Sequence, residues 1–171
     1  MDIEAIAHEN LILIGMPAVG KSTLGLLLAK RIGFAFIDTD LLIQTGEGMS
    51  LKRIIHKQGK EGFCDLEANY LQRLSTRRTV IATGGSAIYR SQAMDHLESL
   101  GTIVFLDIQL DQLTQRLIQL DQRGVVSKPG QSVEQLCNER RPLYRQYANI
   151  TVDCSHCTQE EAVIRLVKAL R

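Results

Sequence analysis

Residues 10–22 carry the clearest structural signal in the sequence. The apolar run Asn10–Ile14 has the composition of a buried β-strand, and the residues directly after it read G-M-P-A-V-G-K-S. This is the pattern G-x-x-x-x-G-K-[ST], and an amphipathic helical pattern follows it. In such a loop, backbone N–H groups converge on phosphate oxygens at the N-terminus of the helix. The sequence therefore predicts a strand, a phosphate-binding loop and a helix, in that order.

Apolar segments with strand character alternate with helix-period segments along the chain, which is typical of a parallel α/β sheet. Candidate strands, nearly continuous in apolar residues, cover 10–14, 34–37, 79–82, 102–106 and 149–152. Strands buried on both faces have this composition. We predict an α/β fold with a single doubly wound five-stranded parallel sheet, formed by one domain over residues 1–171.

Helical stripes of apolar residues between these strands are predicted to belong to the core. The stripe after the phosphate loop consists of Leu24, Leu27, Leu28 and Ile32, and a later one of Leu110, Leu113, Leu117 and Leu120. Because ligands of such sheets bind beyond the carboxyl ends of the strands, chemistry is expected in the loops that follow the strands.

Charge and hydropathy exclude several classes of partner. The chain has 20 Lys and Arg against 19 Asp and Glu, a formal net charge of +1, so we expect neither nucleic acid nor an acidic membrane as a partner. No run approaches the ~18 consecutive apolar residues of a membrane-spanning helix. Residues 1–10 lack the Lys/Arg-rich start of a targeting segment. We expect a cytoplasmic monomer.

The four cysteines are irregularly spaced in a chain large enough to be stable without crosslinks. Cys154 and Cys157 have the spacing of half a zinc site, but no second pair with matching spacing completes four ligands. Free thiols are therefore expected, rather than disulfides or a zinc site.

Two further loops carry polar or glycine-rich segments. The segment after the second strand reads F-I-D-T-D-L-L. It can place Asp38 towards a metal ion near Ser22 and Asp40 further out, where an acceptor hydroxyl could meet it. A-T-G-G-S-A-I-Y follows the third strand, and Gly84 and Gly85 allow the backbone to approach a ligand closely. Each pattern alone also has an ordinary interpretation, because carboxylates cap helices and glycines form turns.

The phosphate loop and a later segment suggest phosphoryl transfer. Lys21 supplies a mobile cation, and the Ser22 hydroxyl is a ligand for Mg²⁺. The polar segment R-G-V-V-S-K-P-G-Q predicts a lid over about residues 123–131, from which Arg123 could close over a transferring phosphoryl group. The next helix carries Arg140, Arg141 and Arg145, of which one or two at most should face the site.

Taken in order, these segments resemble the shikimate kinase family of small phosphate-loop kinases. The motifs that carry the resemblance are G-x-x-x-x-G-K-S-T, F-I-D-T-D, G-x-x-G-F, A-T-G-G, the lid arginine and R-x-P-L-Y, spread over about residues 10–167. The resemblance implies a P-loop kinase fold with a lid. It implies an enzyme that transfers the γ-phosphoryl group of ATP, with Mg²⁺, to a ring hydroxyl of shikimate, giving shikimate 3-phosphate.

The resemblance also implies a role for each matching nucleotide-binding position. ATP phosphates would contact Gly15, Ala18, Val19, Gly20, Lys21, Ser22 and Thr23. Mg²⁺ would be bound by Ser22, with Asp38 nearby. Arg116 would pack on the adenine, residues 154–158 would lie on its other side, and Arg123 would be the lid arginine.

The acceptor-binding residues follow from the same resemblance. They are Asp40, Gly84, Gly85 and Arg140, of which Arg140 would bind the carboxylate of the acceptor. The residues implied in catalysis are Lys21, Asp40 and Arg123.

Three positions depart from the family pattern. Cys64 stands where the family has a second arginine for the substrate carboxylate, Ser86 replaces a glycine and Gly124 a proline. In the phosphate loop, Ala18 occupies a position that is glycine in many small-molecule kinases. A thiol cannot replace a guanidinium that holds a carboxylate through two hydrogen bonds. Cys64 therefore predicts weak binding of a carboxylate acceptor.

Two hypotheses follow. The first is an ATP-dependent kinase that acts on shikimate or on a related polyol without the carboxylate. The second is a nucleotide-binding protein without shikimate turnover, which serves as a regulatory module. If shikimate nonetheless binds tightly, another cation must pair with its carboxylate, and the candidates are Lys60, Arg141 and Arg145.

Overall fold

Five parallel strands form one sheet in this computed structural model, which describes residues 9–118 and 125–170. The strands are β1 (Asn10–Ile14), β2 (Ala35–Asp38), β3 (Thr79–Ala82), β4 (Gly101–Asp107) and β5 (Ile150–Asp153). Their order across the sheet is β2-β3-β1-β4-β5, and all neighbouring pairs are parallel. Each predicted strand end lies within one residue of the observed end. The predicted sheet is therefore confirmed.

Seven helices connect and follow these strands in the described ranges. They are α1 (Lys21–Ile32), α2 (Thr39–Glu47), α3 (Leu51–Gln72), α4 (Ser91–Leu100), α5 (Leu110–Ile118), α6 (Val133–Tyr147) and α7 (Gln159–Ala169). A short 3₁₀ helix covers Ala87–Tyr89. Within α3, Gly59 has φ 71° and ψ 179°, so the helix is kinked there. Glycine suits this position because a Cβ disfavours positive φ.

The central strands of the sheet are covered on both faces. All residues of β1 are buried, and so are Ile103, Val104, Phe105 and Leu106 of β4. Successive residues of a strand point to opposite faces, so continuous burial requires helices on both sides. Because β2, β3 and β1 are parallel neighbours, their carboxyl ends meet at one edge, which is where the loops of the site begin.

The stripe predicted for α1 is wrong at one residue. Leu24 and Leu28 are buried, but Leu27 is 37% exposed. The face that packs on the sheet is centred instead on Gly25, whose missing Cβ would lie 2.8 Å from the Phe36 ring. Small residues let this helix approach the strands closely, and the periodicity of large apolar side chains does not reveal them. Leu120, from the later stripe, lies outside the described residues.

All four cysteines are free thiols. In the ranges that the structure describes, none of the helices combines the length and the apolarity needed to cross a membrane.

Candidate active site

The phosphate loop lies between β1 and α1, as its sequence predicts. Gly15 has φ 145°, and a Cβ there would lie 2.6 Å from the carbonyl oxygen of Leu106. Gly20 precedes α1 in the left-handed conformation with φ 110°, and it makes no side-chain cap. The first N–H groups of α1 therefore face the loop with a partial positive charge, which is the arrangement that binds phosphate.

Ala18 also has a positive φ, of 66°. This conformation costs a residue with a Cβ roughly 1–2 kcal/mol, which a glycine avoids. The departure at Ala18 therefore keeps the loop conformation at some cost in stability.

The side chain of Lys21 is held inside the loop. Its ammonium group donates hydrogen bonds to the carbonyl oxygens of Gly15, at 2.8 Å, and Met16, at 2.9 Å. Burial lowers the pKa of Lys21 to about 8, while the negative charge of Asp40 acts in the opposite direction. The group is therefore mainly a cation at neutral pH.

Asp38 caps α2. Its Oδ1 accepts hydrogen bonds from the backbone N–H groups of Asp40, at 3.0 Å, and Leu41, at 3.2 Å. Asp38 therefore acts as a helix cap, which is an ordinary role for a carboxylate at this position. Both capping bonds go to Oδ1, and Asp38 lines the same cleft as Ser22. A capping carboxylate can still face a cation across that cleft.

Two glycines after β3 allow side chains to meet closely. A Cβ on Gly84 would lie 2.1 Å from Glu67 Oε1 and 2.9 Å from Asp40 Oδ1. A Cβ on Gly85 would lie 3.0 Å from Arg140 Nη1. Any larger residue at either position would displace these charged groups, so the glycines shape the acceptor end of the cleft.

Arg140 is completely buried at that end. Its Nε donates to the hydroxyl of Tyr89 at 2.9 Å, its Nη1 to the carbonyl of Gly85 at 3.1 Å, and its Nη2 to the carbonyl of Val126. A guanidinium has about five N–H donors, more than these partners require, so it retains donors for a ligand. The positive charge of Arg140 also acts on the Glu67 carboxyl group and lowers its pKa, against the effect of burial.

Glu67 is a site residue that the sequence analysis missed. It is 1% exposed, its Oε2 accepts a hydrogen bond from Ser86 Oγ at 2.5 Å, and within the described ranges its Oε1 has no hydrogen-bond partner. Burial, followed by the negative charge of Asp40, raises the pKa of Glu67 to about 7. The available signal was a carboxylate within the buried stripe of α3 formed by Phe63, Cys64, Ala68 and Leu71.

Cys64 packs in an apolar cluster with Ile43, Ile54, Phe63 and Val126. It is 2% exposed, and burial raises the pKa of its thiol to about 11. The position of the missing arginine is thus occupied by a neutral group in an apolar environment. Its neighbours Phe63 and Val126 line the cleft.

Of the other candidate cations, two are engaged elsewhere. Arg141 donates to Asp107 Oδ1 at 3.1 Å, and Arg145 Nη2 lies 3.4 Å from Asp107 Oδ2. These two residues are spaced i, i+4 on α6, so they share a face that points to the end of β4. Lys60 lies nearer to the acceptor end, with Nζ 3.7 Å from Glu139 Oε1 and 4.6 Å from the centroid of the Tyr89 ring.

A single cleft of ≈ 870 Å³ brings the predicted residues together. Its lining includes Ala18, Val19, Gly20, Lys21, Ser22, Thr23, Asp38, Asp40, Gly84, Gly85, Arg116 and Arg140. Gly15 is buried and supplies a carbonyl to Lys21. Arg123 and Gly124 lie outside the described residues, and of the predicted lid Val125 and Val126 line the cleft.

One end of the cleft carries the residues predicted to contact the adenine. Arg116 Nη1 donates to the carbonyl of Val19 at 3.1 Å, which fixes the guanidinium beside the phosphate loop. Cys154, Cys157 and Thr158 line this end as well. The cleft therefore has a partly apolar end and a charged end, with the phosphate loop between them.

The sheet order, the phosphate loop after β1 and the carboxylates after β2 define a P-loop kinase that acts on small molecules. A family model described as shikimate kinase matches residues 17–171. The chain belongs to the shikimate kinase family, and it is therefore an ATP-dependent kinase. The predicted resemblance is confirmed.

Individual relatives match this chain over nearly its whole length. The chain is 33% identical to a shikimate kinase from Thermodesulfovibrio yellowstonii over 94% of both chains. It is 35% identical to shikimate kinase 2 from an Enterobacter species, over 95% of this chain and 96% of the relative. A shikimate kinase from Acinetobacter baumannii, solved in complex with shikimate, superposes with a TM-score of 0.88 at 29% identity, over 98% and 96% of the two chains.

Proposed function

We propose that this chain transfers the γ-phosphoryl group of ATP to a hydroxyl group of shikimate. The observation that carries the proposal is the single cleft, which joins an open phosphate loop to an acceptor end with Asp40 on one side and the buried Arg140 on the other. Support also comes from a shikimate kinase that matches this chain over 94% of both chains, and from the A. baumannii structure, which contains shikimate.

The phosphate loop binds and orients the nucleotide. Its backbone N–H groups and the N-terminus of α1 hold the β- and γ-phosphates, and Lys21 neutralises the negative charge that they carry. Arg116 and residues 154–158 flank the adenine. Arg123 remains a predicted lid arginine, because it lies outside the described residues.

The residues at the start of α1 and α2 fit a magnesium ion. Ser22 is exposed at the cleft and offers a hydroxyl, and Asp38 offers a carboxylate. Within the described ranges, no group of three or more His, Cys, Asp or Glu could hold a metal. A pair of oxygen ligands suits Mg²⁺, which keeps several waters and takes other ligands from nucleotide phosphates. When bound, it neutralises charge on the transferring group.

The acceptor lies between Asp40 and Arg140. Asp40 orients the attacking hydroxyl and accepts its proton, while Arg140 binds the carboxylate of shikimate. Glu67 lies beside Asp40, and its raised pKa limits the negative charge at this end near neutral pH.

A related polyol without a carboxylate is the second candidate acceptor. The observation that favours it is Cys64, which leaves Arg140 as the arginine of the acceptor end. Arg141 and Arg145 pair with Asp107. Of the alternative cations this leaves Lys60, which contacts the ring of Tyr89, as Arg140 does.

A coupled assay of ADP release tests the proposal. Protein, ATP and Mg²⁺ are mixed with shikimate, with the carboxamide of shikimate, or with no acceptor. We expect ADP release that depends on shikimate. Binding of ATP without acceptor-dependent ADP release would instead support the nucleotide-binding module without turnover. Release with the carboxamide that equals release with shikimate would identify an acceptor without a carboxylate.

Replacing Cys64 by arginine should lower the KM for shikimate by roughly ten- to a hundredfold, the effect of one charge-assisted pair of about 1.5–3 kcal/mol. The new cation would lie one helical turn from Glu67, a buried carboxylate that can compensate its charge. The gain should disappear with the carboxamide. The measurement is the KM of each protein for each acceptor.

Cys64→Met is the matched control, because it adds bulk to the apolar cluster without a charge. Both variants must first be shown to fold and to bind ATP. A wild-type protein that already saturates at low micromolar shikimate would contradict the prediction, since another cation would then pair with the carboxylate.

A cytoplasmic location, a monomeric state and a single kinase domain over residues 1–171 stay predictions from the sequence. We propose them together with the activity.

A further inference from the structure

Tyr89 lies between the charged groups of the acceptor end. Its hydroxyl accepts a hydrogen bond from Arg140 Nε at 2.9 Å and donates one to Glu139 Oε1. The centroid of its ring lies 5.1 Å from Arg140 Cζ and 4.6 Å from Lys60 Nζ. One side chain therefore contacts Arg140 both through its hydroxyl and through its ring.

Glu139 extends this contact to residues 125–131. Its Oε2 accepts a hydrogen bond from Gln131 Nε2 at 2.8 Å, and Lys128 Nζ lies 3.7 Å away. The hydrogen bond from Tyr89 lowers the pKa of Glu139 to about 2, so the carboxylate is charged at neutral pH. Charge-assisted hydrogen bonds of this kind are short and directional.

Residues 125–131 consequently reach Arg140 by two routes. Arg140 Nη2 donates directly to the carbonyl of Val126. The second route runs from Gln131 through Glu139 and the Tyr89 hydroxyl to Arg140 Nε. Together with the bond from Nη1 to the carbonyl of Gly85, these contacts engage all three nitrogens of the guanidinium, and Tyr89 is the partner of Nε.

We propose that Tyr89 is a positioning residue, which holds the Nε side of the Arg140 guanidinium in the orientation that the carboxylate of the acceptor requires and couples it to residues 125–131. The proposal rests on the proposed function, in which Arg140 binds that carboxylate. Because Cys64 removes the second arginine, binding depends on the orientation of one guanidinium, and a tilted guanidinium loses one of two parallel hydrogen bonds.

Tyr89→Phe is the direct test, because it keeps the ring and removes only the hydroxyl. We expect the KM for shikimate to rise about three- to tenfold, as for a weakened hydrogen bond to a charged group, with kcat and the KM for ATP unchanged. With the carboxamide of shikimate, Tyr89→Phe should behave like the wild-type protein. A residue with a general structural role would not produce this separation.

Tyr70→Phe is the matched control. Tyr70 also donates to a glutamate, Glu47, at 3.0 Å, but it belongs to the contact between α2 and α3. It should leave the KM for shikimate unchanged. A second variant, Glu139→Gln, should raise the KM for shikimate, as Tyr89→Phe does. It should also reduce the protection from hydrogen exchange that shikimate gives to residues 125–131.

The outcomes separate the two proposals. If the wild-type protein neither binds nor phosphorylates shikimate, the proposed function is wrong and the role of Tyr89 with it. If the wild-type protein is active and Tyr89→Phe has an unchanged KM for shikimate, the role of Tyr89 alone is overturned. An equal effect of Tyr89→Phe on both acceptors, or on both substrates, would likewise overturn it.

Discussion

Lys21→Ala should reduce kcat by at least about a thousandfold with any acceptor, the scale on which enzymes of this kind depend on a cation at the transferring phosphate. Lys21 is the basic side chain that the phosphate loop encloses, and both of its hydrogen bonds go to loop carbonyls. The loop N–H groups bind phosphates but cannot supply a mobile positive charge. The measurement is ADP release at saturating ATP and shikimate.

Lys30→Ala is the matched control for this variant. Lys30 lies in the last turn of the same helix, α1, and is exposed, so its removal changes net charge by the same amount without touching the loop. Thermal melting of both variants separates loss of the site from loss of the fold. A Lys21→Ala protein that retains most of the wild-type rate would contradict the assignment of the phosphate site.

Asp40→Asn should lower kcat by about a hundred- to ten-thousandfold, the usual contribution of a general base. An amide has nearly the shape of the carboxylate but cannot accept a proton. Asp40 lies at the acceptor end, where its Oδ1 comes within 2.9 Å of the point at which a Cβ of Gly84 would be. ATP affinity should therefore change little, and titration with ATP in the absence of acceptor measures it.

Asp65→Asn provides the control for Asp40, because Asp65 is an exposed carboxylate on α3 that pairs with Arg90. It should leave both kcat and ATP affinity unchanged. If Asp40→Asn weakened nucleotide binding as much as it slowed turnover, Asp40 would belong to the metal site together with Asp38.

The strands and the phosphate loop could be predicted because their causes are local. Strands buried on both faces need nearly continuous apolar residues, and a loop that surrounds phosphate needs glycines where φ is positive, as at Gly15 and Gly20. Asp40, Gly84 and Gly85 could be placed near the site for a related reason. In a parallel sheet, the loops after neighbouring strands meet at one edge.

Glu67 and Tyr89 could not be found in the same way, because their roles depend on contacts between distant segments. Glu67 lies in the middle of α3 and meets the site only where Gly84 leaves room for its carboxylate. Tyr89 gains its role from α6, which brings Glu139 and Arg140 to its hydroxyl. Local propensity contains no information on such contacts.

The arginines of α6 show the same limit. Arg140 is buried at the cleft, whereas its neighbour Arg141 pairs with Asp107. Successive residues of a helix point about 100° apart, so the two side chains take different directions. Helical periodicity does not choose between them until the helix is docked on the sheet, and the motif R-x-P-L-Y was the feature that favoured Arg140.

Phosphorus NMR of the reaction mixture detects the phosphorylated product itself. Protein, ATP, Mg²⁺ and shikimate are incubated, and the phosphorus signals are followed over time. The proposed function predicts a new phosphomonoester signal that grows in step with ADP, requires shikimate and is absent with Lys21→Ala. A mixture that yields only ADP and inorganic phosphate, or one in which ATP binds but stays intact, would contradict it.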